Sequence, residues 1–251
     1  MTEIISKKKA LISLTSYNEA FYGDGKKTGV FLVEALHPFV VFQRYGYEVD
    51  FVSENGSFGV DDYALSQEYL IPEDLNTLKD RNSPFRKHLL HVKKPIEVSA
   101  SEYEIFLASS GHGCLFDYPH SKVQKLAVDI YNNGGIIAAI SHGISIFDGF
   151  IDVSTGENVI KNRSVTGFSD IGEKLLQVDE ILKKKKLATI PEISVRLGAK
   201  YLSPCGPFDD FSLTDGRIVT GASPAASVST ALRATTAIKE IRIRQREKNN
   251  T

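Results

Sequence analysis

The residues best suited to chemistry in this 251-residue chain sit together at positions 134–149, GGIIAAISHGISIFDG. The Ser141 hydroxyl is followed at once by the His142 imidazole and by Gly143. The apolar run 136–140 just before them is short enough to predict a buried strand, and Ile144, Ile146 and Phe147 after them predict a short helix. Strand, sharp turn and helix make a nucleophile elbow, in which a strained turn lifts one side chain above the sheet edge and aims a helix N-terminus at it. Ser141 would occupy the apex. An ordinary polar βα turn uses the same letters, and the motif alone does not choose between them.

Three other places offer groups that such a serine would need. Glu34 lies inside an apolar helical stretch, where it is either on the solvated face or buried with its pKa raised. Ser110, Gly111, His112, Gly113 and Cys114 follow the apolar run 103–109. Glycines at a strand's end let backbone N–H groups approach a bound oxygen, so Gly111, His112 and Gly113 are candidates for oxyanion or substrate binding, the alternative being a plain turn. Glu173 is either a first-turn acid complementing a helix dipole or a carboxylate reaching a site histidine. Cys114 either approaches the pocket or is a buried, inert thiol. The serine, acid, histidine order of an α/β-hydrolase is excluded, because no histidine follows His142. His88 and His91 give only H-x-x-H on an expected surface helix, too little for a zinc site. No metal and no cofactor is predicted.

Positioning these groups requires an alternating βα pattern. Strands are predicted at 9–15, 47–53, 103–109 and 136–140, with helices from Gly29 to Gly46 and over 119–133. Pro38 should kink or break the first helix. Residues 60–98 lose clear periodicity and are expected to form an inserted helical cap. Beyond the elbow come a small hairpin at 151–167, a helix at 172–186, a short helix at 191–197, late strands at 201–203, 211–214 and 217–220, and a helix at 223–240, with residues 242–251 frayed.

Thirty basic and 31 acidic residues nearly cancel, so no summed field favours a polyanion and nucleic acid is not an expected partner. Two cysteines are too few for a secreted disulfide framework, residues 1–10 carry no apolar signal core, and no run approaches the ~18 apolar residues of a membrane span. A protein of the cytoplasm, or of cytoplasm and nucleus, without a membrane partner is the expectation.

The stretches LTSYN, DGKKTGVFLVEALHPF, VDFVSENGSFG, SSGHGCLFDYP, the elbow with its SHG, TGFSDIGE and YLSPCGPFDDFSLTDGRIVTG resemble the fungal heat-shock chaperone branch of the ThiJ/PfpI superfamily, the glutathione-independent glyoxalases (glyoxalase III). The resemblance covers residues 9 to about 234. It implies a single domain over 1–251 with a flavodoxin-like three-layer α/β sandwich and a mostly parallel sheet. It also implies a homodimer, a lyase-type conversion of methylglyoxal to D-lactate in carbonyl detoxification and stress response, and chaperone activity toward misfolded clients. Carried over by position, the nucleophile falls on Ser141, the adjacent histidine on His142, the third polar partner on Glu173 and the helix acid on Glu34.

The chain departs from the family at the centre, with Ser141, His142, Gly143 and Ile144 where the family pattern is Cys-His-Gly-Pro. A thiol starts near ~8.5 and is readily ionised by its surroundings, whereas a serine hydroxyl needs a general base within hydrogen-bond reach. The helix acid is expected to be protonated and to donate, and the residue after an elbow nucleophile usually points away from it. The alternative to a slow enzyme is therefore a chaperone or binding paralogue that kept the pocket. An engineered knockout is disfavoured, since it would not need to change Ile144.

Overall fold

The computed structural model describes residues 8–66 and 69–249. Residues 1–7, two positions of the expected cap (67 and 68) and the last two of the expected frayed tail (250 and 251) lie outside the described residues.

Strand β1 (Lys9–Ser13) leads to helix α1 (Val33–Arg44) and strand β2 (Glu48–Val52). Helices α2 (Pro72–Lys79) and α3 (Pro84–Leu89) precede β3 (Ile105–Ala108), which is followed by α4 (Cys114–Asp117), α5 (Lys122–Asn132) and β4 (Ile136–Ile140). A tight 3-10 segment, Ser141–Phe147, comes next. Strands β5 (Ile151–Asp152) and β6 (Glu157–Asn158) form a small hairpin, and β7 (Ser164–Val165) pairs in parallel with β8 (Lys200–Tyr201) across α6 (Asp170–Leu175), α7 (Asp179–Lys185) and α8 (Ile190–Arg196). Strands β9 (Ser212–Asp215) and β10 (Ile218–Gly221) and helix α9 (Ser227–Asn249) complete the described chain.

The main sheet has the order β2-β1-β3-β4-β10-β9, parallel except for β9, which runs antiparallel to β10. Parallel strands covered on both faces should be apolar throughout, and IFLA in β3 and IIAAI in β4 are buried at every position. Their alternating side chains feed two cores. Ala10, Ile12, Ala138 and Ile140 share one with Phe39 and Phe42 of α1 and Ala231 and Ala234 of α9; Leu11, Phe106, Ile137 and Ala139 share the other with Val123, Ala127 and Ile130 of α5. Burying each large apolar side chain contributes roughly 1.5–3 kcal/mol, so both helical layers are held by many small gains. This is the flavodoxin-like α/β sandwich.

Three local expectations are corrected. Helix α1 continues through Pro38 instead of breaking there, because packing of Phe39 and Phe42 outweighs the one lost backbone bond to Glu34. The expected helix at 172–186 is two helices, separated at Gln177, whose φ is +57°. The expected frayed tail is helical as far as Asn249, where α9 continues with Arg242 paired to Glu104. Residues 60–98 carry α2 and α3, with Phe85 buried against Phe39 and Phe51.

At the carboxyl ends of β1, β3 and β4 the connecting segments approach one another too closely for side chains. A Cβ on Gly143 would lie 2.5 Å from the Ala108 carbonyl oxygen, and one on Gly111, whose φ is +129°, would lie 1.8 Å from that of Gly29. Gly111→Ala should therefore lower the unfolding free energy by at least about 2 kcal/mol in denaturant titration. Gly23→Ala, with open space around it, should stay within about 0.5 kcal/mol. Equal effects would show that the close approach is not a constraint.

Candidate active site

Strand β4 ends at Ile140, and the backbone turns so sharply there that Ser141 takes φ +55°. A left-handed serine carries strain of order 1–3 kcal/mol that the surrounding packing must offset. Gly143 provides the fit by resting against the end of β3, and Ile144 is buried in the core beside Gly167, where a Cβ would come 2.7 Å from its Cγ1. Serine and isoleucine are thus both built into the packing of the elbow.

The sharp turn also brings His142 back toward its predecessor. Ser141 Oγ is 3.3 Å from His142 Nδ1, and His142 Nε2 is 2.7 Å from Glu173 Oε1. The expectation that His142 points away from Ser141 is corrected. Its backbone N–H donates to Ser110 Oγ at 3.1 Å, which anchors the peptide while the ring lies against Phe168, centroids 4.7 Å apart.

Glu173 sits in the first turn of α6, whose N-terminus is capped by the Ser169 hydroxyl accepting from Gly172 N–H. It is 1% exposed and faces two imidazoles: its other oxygen, Oε2, is 3.1 Å from His112 Nε2. Burial alone would push this carboxyl up, but the charge and N–H groups of His142 and His112 outweigh it and hold Glu173 below the usual carboxylate range. Burial, followed by the neighbouring His112, lowers the pKa of His142. An ionised Glu173 accepting from Nε2–H leaves Nδ1 of neutral His142 free to accept from the Ser141 hydroxyl.

On the opposite side Glu34, at the start of α1, is also 1% exposed. Burial raises its pKa well above the ordinary value; hydrogen bonding with the Ser110 and Ser141 hydroxyls opposes that only partly. Its Oε1 has no hydrogen-bond partner. Glu34 is therefore a neutral acid beside the serine, carrying a proton that an incoming oxygen can share.

Ser110, Gly111, His112, Ser141, His142 and Glu34 all border one cavity of about 690 Å³. Gly113 does not border it: its N–H donates to Thr28 Oγ1 at 3.1 Å, and a Cβ would come 2.9 Å from the Tyr17 carbonyl. Gly113 is thus a packing position rather than a substrate-binding one. Cys114 is fully buried, and burial pushes its thiol well up, so the inert alternative holds. His88 turns its Nδ1 to the Pro84 carbonyl at 2.7 Å.

Sequence reasoning missed Tyr22 and Asp61. The Tyr22 hydroxyl is 3.4 Å from His112 Nδ1 and donates to Asp61 Oδ2 at 2.7 Å, and fully buried Asp61 also accepts from Thr28 Oγ1 at 3.0 Å. Both lie in stretches whose periodicity is too weak to place them, and only the DGKKTG segment between them hinted at the turn that brings them in. Among the described residues, His112, His142 and Glu173 form the one cluster able to hold a metal ion, with ligand atoms within 4.8 Å of one another.

No protein-family model matches the chain. The glutathione-independent glyoxalase HSP31 of Saccharomyces cerevisiae is 53% identical over 236 residues, spanning 94% of this chain and 100% of that protein. The crystal structure of glyoxalase III from Candida albicans is 48% identical, with a TM-score of 0.90 over 92% of this chain and 98% of the other. The crystal structure of a ThiJ/PfpI domain protein from Brachyspira murdochii is 15% identical, with a TM-score of 0.56 over 93% and 98%, and shares the fold.

The raised pKa of Glu34 makes stability depend on pH. Its contribution is present in full below the unfolded value near ~4.3 and is lost as pH rises to the folded value. Replacing it by Glu34→Gln should therefore favour the variant increasingly above pH ~4.3, by up to about 1.4 kcal/mol per pH unit in denaturant titrations. Parallel stability curves for the two proteins would mean that Glu34 is ionised in the fold.

Proposed function

The chain belongs to the glutathione-independent glyoxalases, and we propose that it converts methylglyoxal and related 2-oxoaldehydes to 2-hydroxy acids, D-lactate in the case of methylglyoxal, with Ser141 as nucleophile. The observation that carries this reading is the contact of Ser141 Oγ with His142 Nδ1 at 3.3 Å, backed by Glu173 on the far side of the ring. It supplies the general base that a hydroxyl needs and a thiol does not.

In this reading Ser141 Oγ adds to the aldehyde carbon while its proton passes to His142 Nδ1. Glu34, protonated and with Oε1 unpartnered, donates to the oxygen that gains charge. His142 passes the serine proton to that oxygen and, neutral again, removes the hydrogen from the former aldehyde carbon while Glu34 protonates the neighbouring carbonyl oxygen, giving an enediol bound to serine. His142 then returns its proton to the neighbouring carbon as the hydroxyl proton goes back to Glu34, leaving a lactoyl ester on Ser141. Water, deprotonated by His142, attacks that ester and releases the hydroxy acid. Glu173 holds the ring in the required tautomer and stabilises it when it is charged. Gly111 and His112 complete the wall on the substrate side.

Action as a homodimer in the cytoplasm, and also in the nucleus, belongs to the same reading and is supported by the resemblance; sedimentation should give twice the 27.7 kDa chain mass. No helix among the described residues is long and apolar enough to cross a membrane.

Purified protein should turn over methylglyoxal without glutathione. Ser141→Cys should raise kcat/KM at least about tenfold, a gain of ~1.4 kcal/mol in transition-state binding, and Glu34→Ala should abolish that gain. Absence of turnover in both the unmodified protein and Ser141→Cys would reject the enzyme reading in favour of a binding or chaperone role.

A further inference from the structure

The glyoxalase route ends by hydrolysing an ester of Ser141, and the groups that perform that step do not depend on how the ester arose. Nucleophile, imidazole and carboxylate stand in hydrogen-bonded sequence: Ser141 Oγ to His142 Nδ1 at 3.3 Å, His142 Nε2 to Glu173 Oε1 at 2.7 Å. The chain order is serine, histidine, acid, with serine and histidine adjacent, so the α/β-hydrolase order does not reveal it. Triads are recognised by geometry and role rather than by position. The left-handed Ser141 backbone is what allows neighbouring residues to face each other.

The cavity is also larger than a three-carbon oxoaldehyde requires. Its 690 Å³ lie in the range of sites for drug-sized ligands, and its walls include Phe31, Tyr63, Tyr69, Phe168, Phe208 and Ile181. These walls share the cavity with Ser110, Glu34, Ser141 and His142, and Phe168 lies against the His142 ring, centroids 4.7 Å apart. A ligand that uses both the reacting groups and these walls has one polar reacting carbon and an apolar body.

We propose that Ser141, His142 and Glu173 form a serine-hydrolase triad that cleaves carboxylic esters carrying an apolar acyl or alcohol portion. This rests on the same assignment of Ser141 as nucleophile, but not on oxoaldehyde chemistry. Ser141 Oγ forms a bond to the ester carbonyl carbon as its proton moves to His142 Nδ1. The tetrahedral oxyanion takes a hydrogen bond from Glu34. Collapse breaks the bond to the alcohol oxygen, which leaves with the proton from His142. Water then adds to the acyl-serine with His142 as base, and the carboxylic acid departs as Ser141 regains its proton. No oxidant, reductant or metal enters the balance.

The test uses the full-length protein with p-nitrophenyl acetate and p-nitrophenyl butyrate, beside a methylglyoxal assay. Saturable release of p-nitrophenol at least a hundredfold above Ser141→Ala is expected, with butyrate preferred. Glu173→Gln, a positioning change, should lower kcat and move the acid limb of the pH profile downward, since the carboxylate supports the protonated ring. Diisopropyl fluorophosphate supplies a readout independent of any variant: it should label Ser141, located by peptide mass mapping, and stop both activities. Ester cleavage equal in Ser141→Ala, or no labelling of Ser141 together with no ester turnover, would overturn the proposal. Methylglyoxal turnover without ester cleavage would overturn it while leaving the glyoxalase reading intact, and ester cleavage without methylglyoxal turnover would do the reverse.

Discussion

The Glu173 carboxylate buried between the imidazoles of His142 and His112 is the constraint that organises the site. Moving an unpaired carboxylate into such surroundings costs several kcal/mol, and the two ring N–H groups at 2.7 and 3.1 Å offset it. Their donation fixes each ring's orientation through one nitrogen and presents the other to a separate task. For His142 that task is Ser141; for His112 it is the Tyr22 hydroxyl, itself bound to Asp61. Removing the carboxylate would therefore free both rings at once, and effects at these positions should not add.

Two acids on either side of the serine have opposite protonation because their surroundings differ. Glu34 has the Ser110 and Ser141 hydroxyls for neighbours, so burial dominates and raises its pKa well above the ordinary value. Glu173 has two imidazoles, which win over the same burial. Burial raises the pKa of one while the imidazoles lower that of the other, the separation of roles that acid–base chemistry at neutral pH requires. The backbone keeps them there through close approaches at Gly111 and Gly143, where glycine is a steric necessity and not only a flexible joint.

Much of this architecture was legible from the sequence because parallel strands covered on both faces must be apolar, and IIAAI and IFLA can be little else. The elbow was visible for the same reason: polarity changes abruptly where β4 ends. Glu34 and Glu173 stood out as candidates whose alternatives stayed open until the resemblance, since an acid in a helix looks alike whether it faces solvent or a buried ring. What could not be read was contact across long separations. Tyr22 and Asp61 meet through segments without periodic pattern, and the approach of His142 to Ser141 depends on a positive φ that no residue preference signals at serine. Gly113 misled because a glycine that lets a ligand in and one that lets a backbone in have the same letter. Pro38 misled because a single lost hydrogen bond is smaller than the packing of α1.

A tautomer measurement on histidine bears most directly on the claim that Glu173 sets His142 up as the base for Ser141. Nitrogen NMR of ¹⁵N-histidine-labelled protein at pH 7, assigned with His142→Gln, should show His142 neutral, protonated at Nε2 and unprotonated at Nδ1. A ring protonated at Nδ1, or at both nitrogens, would leave Ser141 without an acceptor and contradict the account.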